Sequence, residues 1–136
     1  SEHCSIFIFI VNNIPNIFEM LLEILRMDIT IREYGEIIVV SLQGALDAVA
    51  VPKVEEYLQQ QISLGKHKIV INMQEMHYIS SAGIRLVLSI FKFLQGLQGR
   101  LCICCMQDQV AEVLRMAGVD QLLSLCHSEQ ECFSKF

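Results

Sequence analysis

From residue 27 onward the apolar positions keep two rhythms, and each change of rhythm marks an element. Residues 27–33 alternate apolar and polar, as a half-buried strand does. Tyr34, Gly35 and Glu36 form a tight turn, and residues 37–42 (Ile-Ile-Val-Val-Ser-Leu) give the second strand of a hairpin. Gly44 and Asp47 mark the loop leaving it. Residues 51–64 then show helical spacing through Val54, Tyr57, Leu58, Gln61 and Ile62. Pro52 is tolerated in the first turn and Gly65 ends the helix. Residues 68–73 are a continuous apolar run, which predicts a central strand buried on both faces and parallel to a neighbour.

The next segment is the most informative. Two hydroxyl residues, Ser80 and Ser81, end an apolar strand and open a helix. Steps of four, four and three residues from Ser81 reach Arg85, Ser89 and Lys92, so these share one helical face. Ile84, Leu86, Val87, Leu88, Ile90, Phe91, Phe93 and Leu94 fill the rest. A helix this apolar is mostly buried, leaving a single polar stripe headed by Ser81. Gly96 and Gly99 turn the chain into a strand over residues 101–105. Asp108 is expected to cap a helix over 109–116 that stops at Gly118, and residues 122–125 form a last short strand. Ser128 and Glu131 make a capping box for a C-terminal helix. Strand–helix alternation after a hairpin predicts one α/β domain, with a mixed sheet of about four to five strands and about four helices.

Residues 1–26 do not follow this pattern. The apolar run over residues 5–11 falls far short of the about 20 residues a membrane span needs. No basic amino end or small-residue cleavage site suggests a signal peptide. Asn16, with Glu19 as its acidic partner, is expected to cap a short amphipathic helix through Leu21, Leu22, Ile24 and Leu25. The domain is therefore placed at 27–136, with 1–26 as an N-terminal hydrophobic extension. Deleting 1–26 is expected to leave a folded protein, which thermal unfolding would check. Its apolar residues must pack on the domain or on a second copy, so sedimentation of the truncated form would test a homodimer formed through 1–26.

At 136 residues the chain is large enough for one core. A hydrophobic content of 53% with 18% charged residues argues against disorder. The net charge of −5, with no basic run, excludes nucleic acid as a partner, because that affinity depends on neutralising phosphates. Six cysteines raise the question of metal. Cys102 and Cys104 share a strand face, with Cys105 expected on the other, and no pair of knuckles at Cys-x2-4-Cys spacing is present. Cys126, His127 and Cys132 could in principle complete a site, but a free cysteine more often packs as a small core hydrophobe. The cysteines are expected to be reduced core residues in a cytoplasmic protein with no metal or cofactor.

The pattern does not suggest an enzyme. A serine nucleophile needs a base held by a third group. His77 is too near in sequence to serve, and no Gly-x-Ser-x-Gly elbow exists. A serine that is itself a substrate needs exposure, small neighbours and a setting that tolerates the product. Phosphoserine carries about −1.5 to −2 charges at neutral pH, and a helix head stabilises anions through its dipole and free amides. Arg85, one turn along, adds a charge-assisted contact. Capping by Ser80 or Ser81 is the plainer reading of two serines at a helix start.

The octapeptide Tyr78-Ile79-Ser80-Ser81-Ala82-Gly83-Ile84-Arg85, placed after the 68–73 strand, resembles the phosphorylation-site motif of bacterial anti-sigma factor antagonists, the stand-alone STAS domains. The resemblance covers about residues 27–136 and includes Gly44-Ala45-Leu46-Asp47 and the Ala117-Gly118-Val119 turn. It implies an α/β sandwich in which the unmodified form binds an anti-sigma factor that is also an ATP-dependent serine kinase, freeing the sigma factor. Phosphorylation by that kinase ends the complex, and a metal-dependent serine phosphatase resets it. By position the phosphorylated residue is Ser81. Ser80 stands where well-known members often have aspartate, and Asp47 matches the family's aspartate near the site, with helix capping as its other role. The implied partner-binding set is Asp47, Ser80, Ser81, Gly83 and Arg85. The same domain also serves as a scaffold or accessory domain in transporter, lipid-transport and stress-sensing assemblies, which is the alternative function.

Overall fold

In the computed structural model, which describes residues 15–136, the chain enters through helix α1 (Pro15–Leu25). The helix begins at Pro15, so Asn16 lies inside its first turn and is not the residue that precedes it. Proline suits that position because its missing N–H would have no helical acceptor anyway. Ile17, Phe18, Met20, Leu21 and Leu22 are all exposed. The apolar run over residues 5–11 lies outside the described residues.

The alternating segment forms β1 (Asp28–Tyr34), which pairs antiparallel with β2 (Ile37–Leu46) across the Gly35 turn. Strand β2 is longer than expected: Gly44 lies within it rather than in a loop. Its φ of 127° and the 2.5 Å gap between an added Cβ and the Arg26 carbonyl oxygen both require glycine there. Helix α2 (Val51–Ser63) follows, then β3 (Lys68–Asn72), β4 (Met76–Ile79) and helix α3 (Ser81–Gly96). The chain continues through β5 (Arg100–Cys104), α4 (Asp108–Met116), a 3-10 turn (Val119–Gln121), β6 (Ser124–Cys126) and α5 (Glu129–Phe133).

The main sheet runs β1-β2-β3-β5-β6, and every pair except β1–β2 is parallel. β3 is the central strand, with Ile69, Val70 and Ile71 almost fully enclosed. The mixed α/β architecture is the one the alternation predicts. Its sixth strand, β4, is legible only in part because just its end residues, Met76 and Ile79, are buried. It pairs in parallel with the far end of β2, joining Ala45 to Tyr78 and Leu46 to Ile79.

The two sheet faces differ. Ile38, Val40, Ile69, Ile71 and Ile103 face the main core beneath α2, α3 and α4. Val39, Val70, Cys102 and Cys104 point the other way, where Cys126, Cys132, Phe133 and Phe136 from the chain's end close over them. Cys102 and Cys104 thus share a face. Cys105 does not oppose them: it lies past the strand end with φ 63° and packs on the same sulfur-rich cluster. The expectation that all the cysteines are reduced also needs correction, because Cys102 and Cys132 form a disulfide that ties β5 to α5. Spacing does not reveal it, since the partners lie 30 residues apart on different elements.

Two smaller differences concern helix ends. Asp108 is the first residue of α4 rather than its cap; Gln107 precedes the helix and its side chain caps no backbone amide there, and the Asp108 carboxylate sits in the first turn. The last strand begins at Ser124 because the 3-10 turn takes the chain to Gln121 and buries Leu123. The C-terminal capping box does form: Ser128 Oγ accepts from Glu131 N at 3.1 Å. Glu131 reaches back to the amide of His127 at 3.0 Å, one residue beyond the usual partner.

Helix α5 is held to the sheet by Glu129, which accepts hydrogen bonds from Asn72 Nδ2 at 2.6 Å and from Arg32. Burial raises the Glu129 pKa, but these two hydrogen bonds and the Arg32 charge outweigh it and hold the carboxyl below its ordinary value of 4.5. A carboxyl whose folded pKa is depressed adds stability above its unfolded pKa and loses it as pH falls through the folded one. Glu129→Gln is therefore expected to narrow the stability gap between pH 7 and a pH below that range. Urea unfolding at both pH values checks this, and an unchanged gap would remove Glu129 from the acid response.

Candidate functional site

The site is a corner where three strand or helix ends meet. Strand β2 stops at Leu46, β4 stops at Ile79, and α3 starts at Ser81. The Leu46 carbonyl joins them, accepting from Ser80 N at 3.0 Å and from Ser80 Oγ at 3.2 Å. Ser80 has extended backbone angles and is the N-cap of α3, its Oγ accepting from Gly83 N at 3.2 Å. The two serines therefore divide the work. Ser80 is half-buried and committed to the fold through both lone pair and proton. Ser81, the first helical residue, is exposed, and its hydroxyl has no hydrogen-bond partner among the described residues.

The amides of Ser81 and Ala82 also lack a protein acceptor among the described residues, as the first turn of a helix requires. An anion attached to the Ser81 oxygen would meet both free N–H groups and the positive end of a 16-residue helix. Arg85 is exposed one turn further along and forms no ion pair among the described residues. Ser89 and Lys92 are exposed on the same stripe, while Leu86, Val87, Ile90 and Leu94 are buried opposite.

Gly83 has a different role from the one its place in the motif suggests. It is buried, and a Cβ there would lie 2.7 Å from the Leu46 carbonyl oxygen and 2.8 Å from Ile79 Cγ1. It lets α3 press against the ends of β2 and β4, so it shapes the corner from inside and offers no surface to a partner. Asp47 does not cap α2, whose N-cap is Ala50 with no side-chain bond; its Oδ1 accepts from Val49 N at 3.1 Å and Ala50 N at 3.0 Å and so orders the turn that leads into the helix. Because it directly follows Leu46, it lies beside the Ser80 anchor.

The structure thus brings Asp47, Ser80, Ser81 and Gly83 to one corner, with Ser81 and Arg85 displayed and Ser80 and Gly83 turned inward. Two residues that pattern reasoning missed flank it. Val49 is 71% exposed and Tyr78 52% exposed, on the two segments that meet at Leu46. Exposed large apolar side chains beside a polar helix head are suited to a protein partner. Tyr78 lies on β4 between exposed His77 and buried Ile79, and because Met76 is also buried the strand does not alternate, so its outward ring was not legible from the pattern. Nothing in the sequence distinguished Val49. Among the described residues no helix is long and apolar enough to cross a membrane.

Comparison with known proteins gives a consistent result. The STAS domain family model matches residues 28–132. A protein of Bordetella bronchiseptica, BtrV, assigned as an anti-sigma factor antagonist, is 28% identical over 110 residues, which is 81% of this chain and 95% of that one. An anti-sigma factor antagonist from Mycobacterium paratuberculosis has a similar structure, with a TM-score of 0.75 at 15% identity over 82% of this chain and 94% of that one. The Bacillus cell fate determinant SpoIIAA in its phosphorylated form aligns at a TM-score of 0.63 and 22% identity, covering 79% of this chain and 98% of that one.

Proposed function

Because the chain belongs to the STAS domain family, we propose that it is an anti-sigma factor antagonist switched by phosphorylation of Ser81. In this reading the unmodified protein binds, in the cytoplasm, an anti-sigma factor that is also a serine kinase, and so frees a sigma factor. Transfer of phosphate to Ser81 ends the complex, and a metal-dependent serine phosphatase restores it. The chain itself is a substrate and binding partner rather than an enzyme.

The observation that carries this reading is the division between the serines. A modifiable hydroxyl must be free, and Ser81 is exposed without a partner while Ser80 is tied to Leu46 and Gly83. Adding a dianion at Ser81 leaves every fold-supporting bond of the corner in place. It acts on the surface between Val49, Tyr78 and Arg85, where a partner that packs in the unmodified state meets a solvated charge in the modified one. Asp47 supports this surface by ordering the turn that carries Val49.

Co-purification from the native host tests the proposal. The chain should bring down a protein with a serine-kinase fold, identified by mass, and a phosphopeptide spanning residues 78–85 should be absent from the bound fraction and present in the free one. Recovery of a transporter or a stress-sensing assembly instead would assign the scaffold role. The domain boundary is part of the same proposal: 27–136 carries the whole corner, and 1–26 is dispensable for it.

A further inference from the structure

The face of the sheet away from α2, α3 and α4 carries sulfur in an unusual density. Cys102 on β5, Cys126 on β6 and Cys132 on α5 are all buried, and their three sulfur atoms lie within 4.8 Å of one another. Cys102 and Cys132 are joined, and Cys126 Sγ lies 3.4 Å from Cys102 Sγ. The proposed switch at the head of α3 makes no use of them.

One use of a third sulfur beside a disulfide is exchange. Displacement at a disulfide sulfur runs in line, which would place Cys126 about 5.4 Å from Cys132, the 3.4 Å contact plus a bond of about 2 Å. The two are within 4.8 Å, so the three sulfurs form a triangle rather than a line. A triangle is the arrangement of three thiolates around one ion. Bonds of about 2.3 Å to a central ion put such sulfurs about 4 Å apart. Opening the Cys102–Cys132 bond lets these three relax to that spacing with little movement of β5, β6 or α5.

We propose that the reduced Cys102–Cys126–Cys132 triad binds one soft, thiophilic metal ion of low coordination number, and that Cu(I) is the ion it fits. The donor set decides this. Thiolates select soft ions, and structural zinc takes four ligands, whereas no fourth His, Cys, Asp or Glu joins the group among the described residues. Phe133 and Phe136 pack over the cluster and keep water from supplying one. The disulfide and the ion exclude each other, because the bond consumes two of the three donors. A dithiol reductant converts one state into the other: it gives two electrons and two protons, the Cys102–Cys132 bond breaks to two thiols, and the reductant leaves as its own disulfide. The three thiols then release their protons as three sulfur–metal bonds form. In both states β5 is clasped to α5, and the ion adds β6 to the clasp.

The test uses the full chain, reduced with a phosphine that is then removed, under anaerobic conditions. It is titrated with Cu(I) against a chromophoric Cu(I) chelator. One equivalent should bind, with thiolate-to-copper absorption in the ultraviolet, and the disulfide form of the same protein should bind none. Cys126→Ser and Cys126→Ala should weaken binding by about a hundredfold or more, since loss of a direct ligand exceeds the loss of an outer support. Cys105→Ser should leave it unchanged, and circular dichroism of each metal-free variant confirms its fold. Absence of stoichiometric binding, equal binding by the disulfide form, or binding that survives both Cys126 variants would overturn the site. Zinc retained in preference to Cu(I) would overturn its three-coordinate assignment.

Discussion

Ser81→Asp is expected to weaken the complex with the anti-sigma partner about a thousandfold, a loss of about 4 kcal/mol, while leaving the fold intact. The two halves of this result have separate causes. The fold survives because Ser81 contributes no hydrogen bond to the corner and a carboxylate suits the first turn of a helix. Binding fails because the charge is placed beside Val49 and Tyr78, which a partner must desolvate. Ser81→Ala should bind as the unmodified protein does and, since Ser80 is the cap, should barely change stability. Ser80→Ala should behave in the opposite way. It removes the acceptor of the Gly83 amide and the donor to Leu46, at a cost of about 1 kcal/mol. Calorimetric titration with the purified partner, paired with urea unfolding of each variant, separates these effects. Equal affinity of Ser81→Asp and the unmodified protein would remove Ser81 from the interface.

Gly83→Val is expected to destabilise the domain by about 3 kcal/mol. Its branched side chain would meet the Leu46 carbonyl oxygen, which is backbone and cannot rotate away, and the enclosed Ile79 and Leu46 side chains. Retreat of α3 would relieve the clash only by breaking the Ser80–Leu46 contacts. Gly96, at the other end of the helix, provides the comparison: an added Cβ there meets nothing within 4 Å. Gly96→Ala should be neutral or stabilising by up to about 1 kcal/mol, because alanine restricts the unfolded chain. If Gly83→Val unfolds at the same denaturant concentration as the parent, α3 does not press on the ends of β2 and β4.

What the sequence made legible, and what it hid, follows from the range of the forces involved. Alternation over residues 27–33, the apolar run at 68–73 and the polar stripe from Ser81 to Lys92 are local patterns, and the structure contains each as an element or a face. Ser128 and Glu131 were legible as a cap for the same reason. Strand β4 and the far end of β2 were obscured because they stabilise each other: residues 44–46 and 76–79 are short, and only their pairing makes them strands. The roles of Ser80 and Ser81 could not be separated by pattern, since both are serines at a helix start. The deciding atom, the Leu46 carbonyl, lies 34 residues away. Gly83 entered the implied partner-binding set by its place in the motif, and no local pattern shows that the close approach it permits comes from the domain's own β2. The disulfide was hidden because its partners meet only when α5 folds over the sheet.

The central claim is that Ser81, and not Ser80, is the modified residue. Incubating the chain with the proposed anti-sigma kinase and ATP, followed by fragmentation mass spectrometry of the peptide spanning residues 78–85, tests it most directly. The free Ser81 hydroxyl predicts one phosphate, on Ser81, with none on Ser80 and none at all on Ser81→Ala. A phosphate on Ser80, whose oxygen would have to abandon both Leu46 and Gly83 to accept it, would contradict the account.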